Sequence, residues 1–214
     1  MNRVLATAAV ISLLLAACSG SKGRDFERYY DPQGSFSTDL PVGNDVTQAP
    51  AQPGASGAPG LVAGVVSQPP QPSPSPASQF GGGLSSITQQ QAAADQTTYE
   101  VFAVTTDSFQ NVSQMVLYFL TGDPAIDVQI EQPLRFAGGD GTLVVANASR
   151  SGQTTAAIAA AFTLGTGGTG YIVAAIFPPG DWEKERSDFE KIVASFTAAV
   201  PPGVQTIPLV TGGA

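Results

Sequence analysis

The order of apolar periodicities predicts an α+β fold, an α/β/α sandwich with a mainly antiparallel sheet. Three observations carry that expectation. Runs of β-branched and aromatic residues recur along the chain at strand length. Two segments, one mid-chain and one near the C-terminus, instead place their apolar residues at helical spacing. Gly- and Pro-rich turns, such as Gly122-Asp123-Pro124 and Pro178-Pro179-Gly180, close these runs.

The elements follow in order. Asp31-Pro32-Gln33-Gly34 reads as a type I or II turn, and Phe36, Thr38 and Leu40 then alternate with polar neighbours as in a half-buried strand, so residues 29–45 read as a first hairpin. Thr98 to Thr105 (TYEVFAVT) reads as a strand. Asp107 is placed to cap a helix from Ser108 to Leu120, with Phe109, Val112, Val116 and Phe119 on one face, and Gly122-Asp123-Pro124 stops it. Ile126 to Ile130 reads as a short extended piece. Gly138-Gly139-Asp140-Gly141 turns the chain into a strand from Thr142 to Ala148. Thr154 to Leu164 is open between strand and helix, because Ala156 to Ala161 favours a helix while its surroundings favour a strand. Tyr171 to Phe177 is a strand closed by Pro178-Pro179-Gly180. Asp181 then caps a last helix, with Trp182, Phe189, Ile192, Val193 and Phe196 along one stripe and five acidic and three basic residues in 181–191. Residues 96–200 thus hold the body of the domain, and 201–214 read as an extended tail.

Between Asp45 and Asp95 there is no charged residue, and prolines cluster from Pro50 to Pro76. Such a composition buries too little apolar surface to offset ordering entropy. Residues 46–95 are therefore expected to be a disordered insertion, with Leu61 to Val66 as a brief strand inside it. Because loop length costs little, each doubling only about 0.6 kcal/mol, an enlarged surface loop is favoured over a wall-spanning spacer or a peptide ligand.

Residues 1–17 read as an export signal. Asn2 and Arg3 precede an apolar run from Leu5 to Ala17, too short for the roughly 30 Å hydrocarbon core of a bilayer. The run ends Leu15-Ala16-Ala17-Cys18, and Cys18 is the one cysteine of the chain. This resembles the lipobox of bacterial lipoproteins. The resemblance implies cleavage before Cys18, acylation of its thiol with palmitate-type chains, and a tether over 18–28. Each buried methylene contributes about 0.8 kcal/mol, so two or three chains anchor without protein contacts. Ser19 after the cysteine implies outer-membrane sorting in a diderm; in a monoderm the anchor lies in the outer face of the cytoplasmic membrane. Cleavage also removes Arg3, leaving the mature chain one unit more acidic than the formal charge of -8.

A second resemblance lies in Tyr29, Asp31, Gly34, Phe36, Ser37, Leu40 and Pro41, together with the final strand and the Ile192-Val193-Ala194-Ser195-Phe196 ending. These are similar to the opening and close of PsbP-like domains, a family of photosynthetic extrinsic subunits and bacterial lipoproteins of the LpqN type. The pattern departs at Val42-Gly43, where a tryptophan often stands, and in the uncharged insertion. No partner or site residue is carried over.

The chemistry expected is non-enzymatic. With no histidine in the chain, the commonest general base and metal ligand is missing, and neither cofactor nor metal is expected. The acidic balance argues against nucleic acid, whose phosphates need clustered Lys and Arg. Gly165-Thr166-Gly167-Gly168-Thr169-Gly170 has the letters of a dinucleotide loop, but a strand follows it where a helix N-terminus is needed, so it reads as a glycine hairpin. Asp140 is a lone calcium oxygen; Asp31 and Asp39 belong to a turn and a strand face; Ser108 and Ser195 have no visible base. Two functions remain. The first is a lipoprotein docking on an envelope protein through the acidic helix or the Pro-rich loop. The second is a small-ligand or lipid binder with a cleft lined by Phe102, Phe119, Phe162 and Phe177.

The anchor yields a direct expectation: Cys18→Ala leaves the chain exported but moves it from the membrane to the soluble fraction. Continued sedimentation of the variant with membranes would refute the lipobox assignment.

Overall fold

The computed structural model describes residues 24–54, 58–70, 96–137, 139–165 and 167–198. Nine strands and two helical segments are found among them. β1 (Phe26–Tyr30) and β2 (Ser37–Pro41) form a hairpin. The other strands are β3 (Asp45–Ala49), β4 (Leu61–Gln68), β5 (Thr98–Thr105), β6 (Ile126–Phe136), β7 (Gly139–Arg150), β8 (Gln153–Leu164) and β9 (Thr169–Phe177). They form one sheet in the order β3-β4-β5-β9-β8-β7-β6, and every neighbouring pair is antiparallel. The expected α+β sandwich with an antiparallel sheet is the fold observed.

The sheet separates two cores by the parity of its residues, because side chains alternate between faces. Tyr99, Val101, Ala103, Ala157, Ala159, Ala161, Val173, Ala175 and Phe177 meet Phe36, Leu40, Phe189, Ile192 and Phe196 on one side. Phe102, Val104, Ile158, Ala160, Phe162, Ile172, Ala174 and Ile176 meet Met115, Val116, Phe119 and Leu120 on the other. The first set is closed by the β1–β2 hairpin and by α2 (Trp182–Ser195). The second is closed by α1 (Val112–Val116), which runs on into a π-helical turn over Leu117–Thr121.

The Ala156–Ala161 segment lies wholly in a strand, paired with β7 and β9. Alanine prefers a helix, but a strand buried on both faces between two helix-bearing layers favours small side chains, and packing overrides propensity. β6 is longer than the expected piece from Ile126 to Ile130 because its register continues along β7 to Phe136↔Gly139 past an irregularity between Val128 and Ile130.

Other expectations are corrected. The mid-chain helix begins after Asn111, not at Asp107: Asn111 Oδ1 accepts from Gln114 N at 3.0 Å, while the chain before it is held in a turn by Phe109 N donating to Thr106 O. The helix ends through Gly122, whose N–H reaches Leu117 O at 2.7 Å; a Cβ there would stand 2.6 Å from that oxygen, so glycine permits the wide π-type closure. Asp181 holds the N-cap position of α2 with its backbone carbonyl, while its carboxylate pairs with Lys184 instead of capping. The insertion does not begin at residue 46: β3 and β4 fill 45–49 and 61–68, and β4 is an interior strand paired with β3 and β5. Pairing on both sides supplies the backbone partners that composition alone cannot reveal. The tether likewise ends before residue 28, since β1 starts at Phe26. Residues 71–95 of the expected insertion, and 201–214 of the expected tail, lie outside the described residues.

Phe162, fully buried at the centre of the second core, is a sensitive probe of this packing. Phe162→Ala is expected to lower folding stability by about 3–5 kcal/mol, read as a drop in urea midpoint at unchanged slope. A loss below about 1 kcal/mol would contradict the packing described.

Candidate functional site

The N-terminal segment is tied to the domain at one polar junction. Arg24 Nη1 donates to Tyr99 Oη at 2.9 Å and to Glu185 Oε2 at 3.2 Å, and Arg24 Nε stands 3.8 Å from Asp188. Tyr99 Oη in turn donates to the same Glu185 oxygen at 3.1 Å. Glu185 is buried, and Lys184 flanks its other oxygen at 3.7 Å. Burial, and next the negative Glu185, push the Tyr99 phenol well above its ordinary range, so it stays a donor. A buried carboxylate needs such partners to be tolerated. The junction therefore fixes where the chain enters the fold, on the α2 side of the sheet.

The outer face of α2 is charged but self-compensating. Lys184 pairs with Asp181 at 2.9 Å, Arg186 with Glu190 at 2.7 Å and Lys191 with Asp188 at 3.6 Å. Of the five acids in 181–191, Glu183 and the buried Glu185 stand outside these three pairs, and Glu185 is matched by Arg24. Exposed pairs of this kind contribute about 0–1 kcal/mol each, but they cancel the field that an acidic docking helix would project.

The four phenylalanines expected to line one cleft do not share a space. Phe102, Phe119 and Phe162 lie together in the α1-side core, whereas Phe177 lies across the sheet in the α2-side core beside Trp182. Odd and even positions of antiparallel strands in register separate them. All four are buried. Leu15, Ala16, Ala17 and Cys18 lie outside the described residues. Gly165 N donates to Thr169 O in the β8–β9 hairpin, with Gly167 and Gly168 at positive φ. Asp140 pairs with Arg135 at 3.2 Å. Ser195 Oγ donates to Ile192 O and accepts from Asp39 N, a packing role between α2 and the hairpin. Among the described residues no group of three His, Cys, Asp or Glu is placed to hold a metal ion.

Two features escaped the sequence reading. The first is Glu100, in the middle of β5 between Val66 and Ala174, fully buried on the α1-side face. Neither carboxyl oxygen has a hydrogen-bond partner, and burial pushes its pKa up to about 8. A lone unpartnered carboxyl of this kind is held neutral at pH 7, since ionising it away from water is costly. Its signal was one glutamate inside an otherwise apolar strand. The second is an exposed apolar pair on the π-helical turn, Leu117 at 57% and Tyr118 at 46% exposure. Tyr118 stands edge-on to Phe109 and Phe119, at centroid distances of 5.6 and 4.9 Å. From Ser108 to Gly122 no residue carries a charge.

No protein-family model and no curated protein matches the chain. Solved structures do. The solution structure of cyanobacterial PsbP (CyanoP) from Synechocystis aligns at a TM-score of 0.53 and 14% identity, over 86% of this chain and 98% of that one. The Ran-binding protein Mog1p of Saccharomyces cerevisiae aligns at 0.47 and 14% identity, over 82% and 96%. LpqN of Mycobacterium tuberculosis, described as involved in cell envelope biogenesis, aligns at 0.43 and 16% identity, over 82% and 92%. The likeness to CyanoP shows that the fold is PsbP-like.

Glu100 makes stability depend on pH in a direction that can be measured. Between the ordinary carboxylate range and about pH 8 the unfolded chain releases this proton while the folded chain keeps it. Stability therefore falls as pH rises through that window, by up to about 1.4 kcal/mol per pH unit from this group, and levels off above it. The stability difference between wild type and Glu100→Gln should change steeply from pH 5 to pH 8; a difference independent of pH would refute the neutral buried carboxyl.

Proposed function

We propose that this chain is a non-enzymatic, lipid-anchored envelope protein whose PsbP-like domain docks on a partner protein. The observation that carries the docking part is the closure of the sheet on both faces. The aromatic side chains that would line an internal ligand cleft are buried in two separate cores, so the domain meets other molecules at its outer surface. The anchoring part rests on the Leu15-Ala16-Ala17-Cys18 sequence and on the short link from Cys18 to Arg24. No helix among the described residues is long and apolar enough to cross a membrane.

The reading is tested on the full chain in its own envelope. After mild detergent extraction the protein should migrate on a native gel as a complex well above the size expected of one mature, detergent-bound chain. A second protein should recur in that band in reciprocal pull-downs. Migration as a lone detergent-bound chain, with no recurring neighbour, would overturn docking.

A further inference from the structure

We infer that residues 80–94 of the connection between β4 and β5, with Phe80, Leu84 and Ile87, dock on the α1-side face of β4, β5 and β9 over Glu100. The inference adds an interaction of the chain with itself and stands apart from the anchoring and partner-docking reading above.

The first argument is burial. Val66, Glu100 and Ala174 lie side by side on three neighbouring strands, and Thr98 pairs with Ile176 one step along the same face. All five are buried, Glu100 completely. The described helical segment on that side sits elsewhere: α1 packs chiefly on β7 and β8, and the π-helical turn on β6. Met115 meets β9 at Gly170, where an added Cβ would stand 3.0 Å from its Cε. Gly170 pairs with Val104, about 13 Å along β5 from Glu100 at the strand rise per residue. On the other side the covered area ends at β4, since Thr47 of β3 pairs with Val66 and is exposed. Three strands span about 10 Å, the width of one helix or strand layer. A second element of that width is needed over Glu100.

The second argument is where the chain leaves and returns. The pairing of Ser67 with Tyr99 brings the end of β4 and the start of β5 together, and residues 71–95 run between Pro70 and Gln96. Both ends of this stretch therefore stand at the border of the covered area. Thr98 to Glu100 is about 7 Å along the strand, and the nine residues from Ile87 to Gln96 reach about 30 Å when extended. The two other long stretches outside the described residues start across the sheet. Residues 1–23 lead into Arg24, which is paired with Glu185 of α2, and 199–214 follow Ala198, which packs on the α2-side core.

The third argument is chemical fit. Both carboxyl oxygens of Glu100 are buried without a hydrogen-bond partner, so whatever lies above them brings no base to them. Residues 71–94 contain neither Lys nor Arg. Their large apolar side chains are Phe80, Leu84 and Ile87, spaced four and three apart as on one face of a helix. An apolar, uncharged occupant is what an unpaired neutral carboxyl and its neighbours Val66, Ala174 and Ile176 can tolerate.

The test places a benzophenone amino acid at position 87 of the full chain, illuminated at a dilution where copies do not meet. Peptide mapping should find the adduct within the same chain, on residues 64–68, 98–102 or 172–176. No intramolecular adduct, an adduct on the α2 side, or adducts only to a second copy or another molecule would overturn the inference. A second measurement uses Leu84→Ser with Ile87→Ser. Binding of a dye that reports exposed apolar surface should rise at least about threefold while circular dichroism is kept. The steep pH dependence of stability assigned to Glu100 should flatten in that variant, because water then reaches the carboxyl. Dye binding and pH dependence both unchanged from wild type would likewise overturn the docking of this segment.

Discussion

Everything in this protein depends on a seven-stranded sheet that is buried on both faces. A sheet with one wet face tolerates polar residues at every second position, but the central strands of this one have helices over both faces and tolerate few, while the edge strands β3 and β6 stay polar and largely exposed. β8 and β9 show the consequence, since Ala156 to Phe162 and Tyr171 to Phe177 are all buried. The strands must be apolar throughout, and the alternation that usually marks a strand in sequence is erased. The low proportion of charged residues, 12%, follows partly from this geometry. Most charge among the described residues lies at the edges of the sheet and beyond it, on α2, on the β1–β2 hairpin and on the edge strand β6, with the buried Glu100 of β5 as the exception.

The same constraint explains why the N-terminal hairpin matters. β1 and β2 do not join the large sheet, yet Phe36 and Leu40 of this small ribbon are fully buried beside α2. Ser37 and Thr197 exchange backbone hydrogen bonds of 2.9 and 2.8 Å, and Arg28 ties Asp39, Ser37 and Thr197 together. Two ends of the chain, far apart in sequence, are thereby sewn onto one face. Most of the connection between β4 and β5, residues 71–95, lies outside the described residues. Loop entropy grows slowly enough with length for such a connection to be carried.

Much of the fold was legible because helical and strand periods survive in the more exposed elements. The stripe of Trp182, Phe189, Ile192 and Val193 announced α2, and Tyr171 to Phe177 could only be a strand before Pro178-Pro179. Where both faces are buried the period vanishes, and Ala156 to Ala161 stayed open between two states until pairing with β7 and β9 decided it. β3 and β4 were partly hidden for another reason: a proline-rich, uncharged stretch resembles disorder, and only cross-strand pairing reveals what part of it is ordered. The proposed cleft failed on parity. Phe177 and Phe162 both look like core aromatics, but which side of a sheet each faces depends on register, which one sequence does not display. The Arg24 junction was invisible because its members, Arg24, Tyr99 and Glu185, are brought together only by the packing of α2 on β5.

The two helices that close the sheet are chemically unlike, and the difference bears on what the domain does. α2 spends its exposed positions on charges that cancel one another, so its outer face is well hydrated and projects little field. The α1 segment has no charge and leaves Leu117 and Tyr118 in water, where they cost free energy that a lysine or glutamate there would not. Both helices already perform the structural task of covering a sheet face, and covering it does not require the outward side of α1 to be apolar. An unbalanced surface cost on one helix only is therefore unexplained by folding. The same exposed area, unfavourable in the free domain, would contribute affinity to any molecule that removed it from water.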